Sequence, residues 1–299
     1  MKHTPKPLQE LDLLDRFLFA EAMEDPVILQ HMLEIILGKE ITLLGLPQTE
    51  KEARRTPLRR FIRMDVWGMD TENAVYDVEV QKENTLNLPK RSRLYQGLLD
   101  SNLLPPGSID FNALNDTYVI LIAPFDLFGY ELYRYTFQMQ CVEVPGLYLD
   151  DGAVRIFLNT HGKHPESVSL ELVELLRYME HTSEEVSKEC KSERIQDIQQ
   201  RVAAIKSSEE IGVKYMQAWE EKVLGEQKAR MEGLEEGREE GRLEGREEGR
   251  LTAQREAIGI FISEFKTEGF SAEQILEKLR KNYKLTASQA EEFYREFAN

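Results

Sequence analysis

Three polar side chains recur at every second position in the segment YDVEVQ: Asp77, Glu79 and Gln81. Successive side chains of an extended strand point to opposite faces, so these three would share one face. The valines between them would then point the other way, into a core. Carboxylates beside a buried apolar row are costly unless they have partners. The segment is therefore a candidate site for a cation.

A fourth polar residue, Asp65, lies in an earlier alternating segment, RFIRMDVW, at residues 60–67. The intervening sequence favours a hairpin, because Asn73 tolerates the left-handed backbone that a three-residue loop requires. Pairing outward from a loop at 71–73 sets Asp65 opposite Glu79. Opposed carboxylates repel each other in a sheet, and a divalent cation between them would remove the repulsion.

Oxygen ligands suit Mg²⁺, which proteins hold through one or two carboxylates together with water and substrate phosphate. Such an ion lowers the pKa of bound water and polarises a phosphoryl group. An alternative is that these acids are solvent-facing and neutralised by Arg63 or Arg91. Asp77 is either a third acid of the site or a strand-end residue.

The charge distribution restricts where a nucleic acid could bind. The chain of 299 residues has a net charge of −16, which argues against a general nucleic-acid binder. The segment just before Asp65 is basic, and cations there could contact backbone phosphates. Its basic residues are Lys51, Arg54, Arg55, Arg59, Arg60 and Arg63.

Composition also bears on the compartment. The two cysteines, Cys141 and Cys190, form no disulfide framework and have no metal-ligand spacing. We expect a reducing, cytoplasmic environment. No apolar run approaches the ~18 residues that a membrane span needs, and the N-terminus has no signal-peptide core, so we expect no membrane association.

The pattern of elements predicts an α/β domain over residues 1–181. Residues 117–125 form a continuous apolar run, typical of a strand buried on both faces. The other predicted elements are two helices within 11–37 that separate near Asp25-Pro26, strands at 41–46, 60–67, 74–81, 133–142 and 153–158, and helices beginning at Pro89 and near residue 168.

The remainder is predicted to be helical. Residues 182–268 are rich in charged helix formers and include a Gly-Glu-Arg repeat at 231–250. Residues 269–299 predict a small helix pair, because Ser271 with Gln274 and Thr286 with Gln289 are capping boxes.

The repeat itself has a glycine at every fourth position. Each glycine costs a helix ~1 kcal/mol relative to alanine, so we expect a frayed, solvated spacer. Self-association through this helical region, giving a homo-oligomer, is the alternative. The glycines are Gly233, Gly237, Gly241, Gly245 and Gly249.

The ordered segments RMDVWG, YDVEVQ, KRSRLYQGLL, YVILIAPFDLFG, YTFQMQC and DGAVRIFLNTHGK resemble the Rpn recombination-promoting nucleases, also described as PD-(D/E)XK nuclease family transposases. The resemblance covers about residues 10–181. It implies a restriction-endonuclease-like core, a mixed sheet flanked by helices. It also implies Mg²⁺-dependent DNA endonuclease activity, with Mn²⁺ as a substitute ion, and a role in DNA recombination or mobile-element biology.

The resemblance also implies roles for individual residues. Asp65 and Glu79 match the two metal carboxylates, the carbonyl of Val80 matches a further metal ligand, and Gln81 occupies the place of the superfamily's lysine. A neutral amide orients water by hydrogen bonding but does not stabilise an anionic transition state as lysine does. Lys90 or Arg91 could supply the missing charge. The DNA-binding residues expected are Arg54, Arg55, Arg59, Arg60, Arg63, Lys90 and Arg91.

A catalytically decayed nuclease fold is the competing interpretation. It would bind DNA or protein, and the helical tail would oligomerise it. The acidic surface and the missing lysine favour this module, whereas the retention of two opposed carboxylates favours the enzyme.

Overall fold

The structure is a computed structural model that describes residues 4–53, 62–104, 107 and 109–298. The chain divides into two compact units, Met1–Trp219 and Glu220–Asn299. The described residues contain no helix with both the length and the apolar content needed to cross a membrane.

The first unit is built on one mixed sheet, and the strands in its described part follow the order β1-β2-β3-β4-β6-β5. Antiparallel pairs β1–β2 and β2–β3 lie on one side of a parallel trio, β3–β4–β6, and β5 closes the other side antiparallel to β6. The strands are β1 (Gln48–Ala53), β2 (Ile62–Met69), β3 (Val75–Val80), β4 (Thr117–Ala123), β5 (Arg134–Phe137) and β6 (Ala153–Asn159).

Helices cover both faces of this sheet. Local signals set their ends: the side chain of Asp25 caps the second helix by accepting from the Val27 amide at 2.9 Å, and Gly38 ends it with a φ of 68°. The helices of the first unit are α1 (Arg16–Met23), α2 (Pro26–Leu37), α3 (Leu88–Leu103), α4 (Leu170–Glu180), α5 (Glu184–Glu189) and α6 (Glu193–Ser207).

The two faces of β3 belong to different cores. Tyr76, Val78 and Val80 pack with α1, α2, α4 and α6 in the larger core. Val75 packs on the opposite face, in a smaller core that includes Tyr95 of α3. Asp77 and Glu79 share the face of Val75 by strand alternation, so the candidate site lies beneath α3.

The hairpin between β2 and β3 is as predicted. Asn73 has a φ of 65°, and the Asp70 amide donates to the Ala74 carbonyl at 3.0 Å, which closes the loop at residues 71–73. The pairs Val66↔Val78 and Trp67↔Asp77 confirm the predicted register.

One predicted strand is absent, and one observed strand was not predicted. Residues 41–46 form no strand, because only the isolated bridge Leu43↔Asp70 pairs this segment with the sheet. Conversely, β1 occupies a lysine- and glutamate-rich stretch that shows no apolar alternation. As an edge strand it is paired on one side only, so its sequence need not match a buried strand.

The first unit extends past the expected boundary at residue 181. The residues Ile195, Ile198 and Val202 of α6 are fully buried in the larger core. Because this apolar face packs against the nuclease-like domain, α5 and α6 belong to the first compact unit.

A long helix, α7 (Glu209–Thr267), leads into the second unit, where it is followed by α8 (Ala272–Tyr283) and α9 (Ala287–Phe297). Both predicted capping boxes are present. A small core joins the end of α7 to α8 and α9 through Ile258, Ile262, Ile275, Leu279 and Ala290.

The glycine repeat is helical throughout and exposed, which differs from the frayed helix we expected. Ion pairs link Glu239 to Arg242 at 2.6 Å and Glu247 to Arg250 at 2.7 Å. Exposed pairs of this kind are screened by solvent and contribute little, so they offset only a small part of the glycine cost.

Candidate active site

Asp65 and Glu79 lie together on the part of the hairpin that is farther from its loop. One step outward from the pair Val66↔Val78 sets Asp65 opposite Glu79. The Asp65 amide donates a hydrogen bond to Glu79 Oε1 at 2.9 Å. Their exposed fractions are 4% and 1%, so two acids that the alternative interpretation placed in solvent are buried.

Asp77 is the third acid on this face and is completely buried. It lies in register between Trp67 of β2 and Val119 of β4. Neither of its carboxylate oxygens has a hydrogen-bond partner among the described residues. An unsatisfied buried polar group costs about 1–3 kcal/mol, so Asp77 is maintained against a stability penalty.

Burial and neighbouring negative charge disfavour the ionisation of Asp77 and Glu79. Burial, followed by the charges of Glu79 and Asp65, raises the pKa of Asp77 well above its ordinary range. Burial, followed by the charge of Asp65, raises the pKa of Glu79 to about 8, although Arg91 and Arg16 oppose the shift. Added positive charge at this site would therefore be strongly stabilising.

Arg91 links two of the expected site residues. From the first turns of α3, its guanidinium donates to Glu79 Oε2 at 3.1 Å and to Gln81 Oε1 at 2.9 Å. Its Nε also donates to the hydroxyl of Tyr95, one helical turn later. The sequence had suggested Arg91 as a DNA contact, a neutralising partner or a source of charge, and the structure places it against the acids.

A second arginine was missed by the sequence analysis. Arg16 of α1 forms an ion pair with Asp65 Oδ1 at 3.1 Å, and its own side chain is 57% exposed. Residues near Arg16 in the sequence give no signal for this contact, because the pair depends on how α1 packs against β2.

The other expected residues are placed as follows. Arg54, Arg55, Arg59 and Arg60 lie outside the described residues, as does the side chain of Arg63. The backbone of Arg63 pairs with Glu52 in the β1–β2 register. Lys90 is exposed on α3, and the side chain of Val80 packs into the larger core.

The donor set suits a hard divalent cation. It consists of buried carboxylates that repel one another and includes the two unpartnered oxygens of Asp77. Within the described part of the chain, no three His, Cys, Asp or Glu side chains converge as a complete ligand set. One or two of these carboxylates could hold a divalent cation whose other ligands are oxygens of water or substrate.

An antiparallel acidic hairpin joined to parallel strands, with helices on both faces, defines a restriction-endonuclease-like fold. The description "PD-(D/E)XK nuclease family transposase" belongs to the family model that matches residues 10–232, and the chain belongs to this family. Nucleases of the PD-(D/E)XK class generally use divalent metal ions. No curated protein and no solved structure shows significant similarity to the chain.

Proposed function

We propose that the protein is a Mg²⁺-dependent DNA endonuclease that acts in DNA recombination or mobile-element biology, with Mn²⁺ as a substitute ion. The observation that carries this proposal is the buried opposition of Asp65 and Glu79 beside the unpartnered Asp77. A fold gains no stability from three mutually repelling buried acids, so their retention supports a role in chemistry.

Asp65, Glu79 and the carbonyl of Val80 would hold the cation. When bound, Mg²⁺ lowers the pKa of water, polarises the scissile phosphoryl group and balances the developing charge. Asp77 would act as a further acid, either directly or through water. The hydrogen bond from the Asp65 amide fixes the Glu79 side chain, so little ordering is required at this residue on binding.

In this proposal, Gln81 and Arg91 together replace the superfamily's lysine. The Gln81 amide orients the attacking water, because it donates and accepts hydrogen bonds but has no charge. The Arg91 guanidinium, already within 3.1 Å of Glu79 Oε2, supplies the positive charge that stabilises the phosphorane-like transition state.

The DNA backbone would be held by the basic residues that precede the hairpin. Arg54, Arg55, Arg59, Arg60 and Arg63 would supply phosphate contacts by their charge, and Lys90, exposed on α3, would supply a further one. The rest of the chain is acidic, so this localised patch would orient the DNA rather than bind it over the whole surface.

The test is cleavage of a supercoiled plasmid in Mg²⁺ and in Mn²⁺. Asp65→Asn and Glu79→Gln keep side-chain size and remove the charge, and we expect each to abolish nicking. The matched control is Glu72→Gln, in the loop of the same hairpin, whose side chain is 80% exposed. Metal-dependent nicking lost in the two site variants and retained in the control would support the proposal.

A second candidate function is a DNA- or protein-binding module on an inactive nuclease fold, with the helical tail as a homo-oligomerisation segment. It is favoured by the ion pairs Arg16–Asp65 and Arg91–Glu79, which neutralise both principal acids without a metal. DNA binding by the intact protein without cleavage in either metal would select this function and reject the nuclease.

A further inference from the structure

A cavity of about 100 Å³ lies on the same side of the sheet as the carboxylates. We call it the aromatic pocket. It is lined by phenylalanine rings, one arginine and the first turns of α3, and the residues are Pro89, Ser92, Phe128, Phe137, Arg155 and Phe157. A volume of this size exceeds the space of a single water molecule several-fold, so it accommodates a planar organic group.

The three rings form one packed cluster. Phe157 makes edge-on contacts with Phe128 and Phe137, at centroid distances of 5.3 and 5.6 Å. Phe137 lies on the edge strand β5 and remains 40% exposed. A ring held rigidly by its neighbours and open on one side offers a stacking surface for another flat group.

Arg155 gives the pocket a charge. It lies on β6 two residues before Phe157, so the two side chains share a face of the sheet. It is partly buried, and it makes no ion pair or hydrogen bond with any residue that the structure describes. A partly buried cation in apolar surroundings favours an anionic partner. Aromatic faces and a guanidinium together match a nucleotide, which combines a flat base with a phosphate.

The register of the sheet sets the pocket close to the candidate active site. Glu79 pairs with Leu121, and Leu121 pairs with Phe157. Two strand spacings separate Glu79 from Phe157, about 10 Å between their backbones. Pro89 and Ser92 line the pocket from the same turns of α3 that direct Arg91 to Glu79. One DNA strand could therefore occupy both places.

We propose that the aromatic pocket binds one unpaired nucleotide of the DNA substrate, at most about three nucleotides from the scissile phosphate, because stacked duplex DNA rises about 3.4 Å per nucleotide and an unpaired strand extends further. The base stacks on the phenylalanine cluster and Arg155 contacts the adjoining phosphate. This inference rests on the proposed function. A base inside a duplex cannot reach these rings without leaving the stack, so the pocket selects DNA that is locally single-stranded.

The experiment measures binding without cleavage, in EDTA. The probe is a DNA duplex with a short single-stranded gap that contains 2-aminopurine at one position at a time, and the comparison is the same sequence fully paired. We expect tighter binding of the gapped DNA, with a fluorescence change confined to one or two gap positions.

Substitutions in the aromatic pocket test which of its residues contribute to binding the gapped DNA. Phe137→Ala should weaken binding of the gapped DNA about tenfold and remove the position-specific signal, because one base–aromatic stack is lost. Phe137→Leu retains the apolar volume without the π-face and should be nearly as weak, which guards against a folding defect in the alanine variant. Arg155→Gln should weaken binding and reduce its salt dependence, and Arg155→Lys should restore both. Phe111→Ala, at an aromatic residue that is 75% exposed outside the pocket, is the control.

Equal binding of gapped and paired DNA, or unchanged binding in Phe137→Ala and Arg155→Gln, would overturn the proposal. The plasmid assay separates the two inferences, because the binding readout needs neither metal nor cleavage. If the protein binds gapped DNA as expected but does not cut the plasmid, the proposal for the aromatic pocket stands and the proposal of nuclease activity is rejected. If it does cut, Phe137→Ala should raise KM and leave kcat unchanged.

Discussion

The main-chain amide of Asp65 holds the carboxylate of Glu79 at 2.9 Å, so one acid of the site fixes the position of the other. The contact follows from the hairpin register, which sets the two residues opposite each other on antiparallel strands. It gives Glu79 a hydrogen bond that survives changes at the Asp65 side chain. Asp65→Asn therefore removes a charge from the site without releasing Glu79.

The first prediction concerns pH and the metal-free protein. The pKa of Glu79 is about 8 in the folded protein, against an ordinary value of 4.5, because of burial and the charge of Asp65. Between these values the folded state keeps a proton that the unfolded state has released. The contribution to stability is therefore fully present below about pH 4.5 and is lost as the pH rises through about 8.

We expect the melting temperature in EDTA to fall as the pH rises from about 6 to about 9, and Glu79→Gln to reduce this dependence and leave the part that Asp77 contributes. Each pKa unit corresponds to about 1.4 kcal/mol, so the change in unfolding free energy is a few kcal/mol. Differential scanning calorimetry measures it, with Glu72→Gln as the control. If the melting temperature of Glu79→Gln depended on pH as strongly as that of the unsubstituted protein, the raised pKa assigned to Glu79 would be wrong.

The second prediction concerns the effect of Asp77 on the free energy of unfolding. Valine has a similar volume and suits a strand, so Asp77→Val should raise the unfolding free energy by about 1–3 kcal/mol by removing a buried, unpartnered carboxyl group. Urea denaturation gives the value. The same substitution should reduce plasmid cleavage if Asp77 belongs to the site. A destabilised Asp77→Val protein would show that the carboxyl group has a partner in solution.

The third prediction concerns the separate roles proposed for Gln81 and Arg91. Arg91→Gln should lower kcat about a hundredfold, since it removes a charged donor from the site. Gln81→Lys alone should not raise activity, because the new ammonium would lie close to the Arg91 guanidinium, which now contacts Gln81 Oε1 at 2.9 Å. The double variant should recover part of the loss, because lysine then acts where arginine did.

A double-mutant cycle on kcat tests this relationship, and we expect a coupling free energy of about 0.5–3 kcal/mol. Additive effects of the two substitutions would show that the two residues act independently. Arg91→Lys distinguishes charge from geometry, because it keeps the charge but not the two-pronged contact with Glu79 and Gln81.

The fourth prediction concerns the glycine repeat. A Cβ atom added at Gly237, Gly241 or Gly245 would meet nothing within 4 Å, whereas one added at Gly259 would meet the ring of Phe297 at 2.9 Å. Alanine at the three repeat positions should increase helicity by circular dichroism, by about 1 kcal/mol of helix stability each, and should leave unchanged the melting temperature of the small core formed by the end of α7 with α8 and α9. Gly259→Ala, in the same helix, should lower that melting temperature. A loss of helicity or solubility in the triple variant would show that the glycines contact a partner.

The local geometry of the site follows from the amino-acid sequence alone. Strand alternation assigned Asp77, Glu79 and Gln81 to one face, and the turn residues predicted both the loop with Asn73 and the hairpin register. The helix pair at the C-terminus followed from its capping boxes. These features were accessible because they depend on neighbours within a few residues along the chain.

The surroundings of that site depend on how distant segments of the chain pack together. The burial of Asp77 requires α3 to cover the sheet, and the ion pair between Arg16 and Asp65 requires α1 to pack beside β2. The same holds for the aromatic pocket, whose Ser92 on α3 and Phe157 on β6 are far apart in the sequence. Burial and long-range contacts arise from packing between distant segments, and residue spacing along one chain contains no direct record of them.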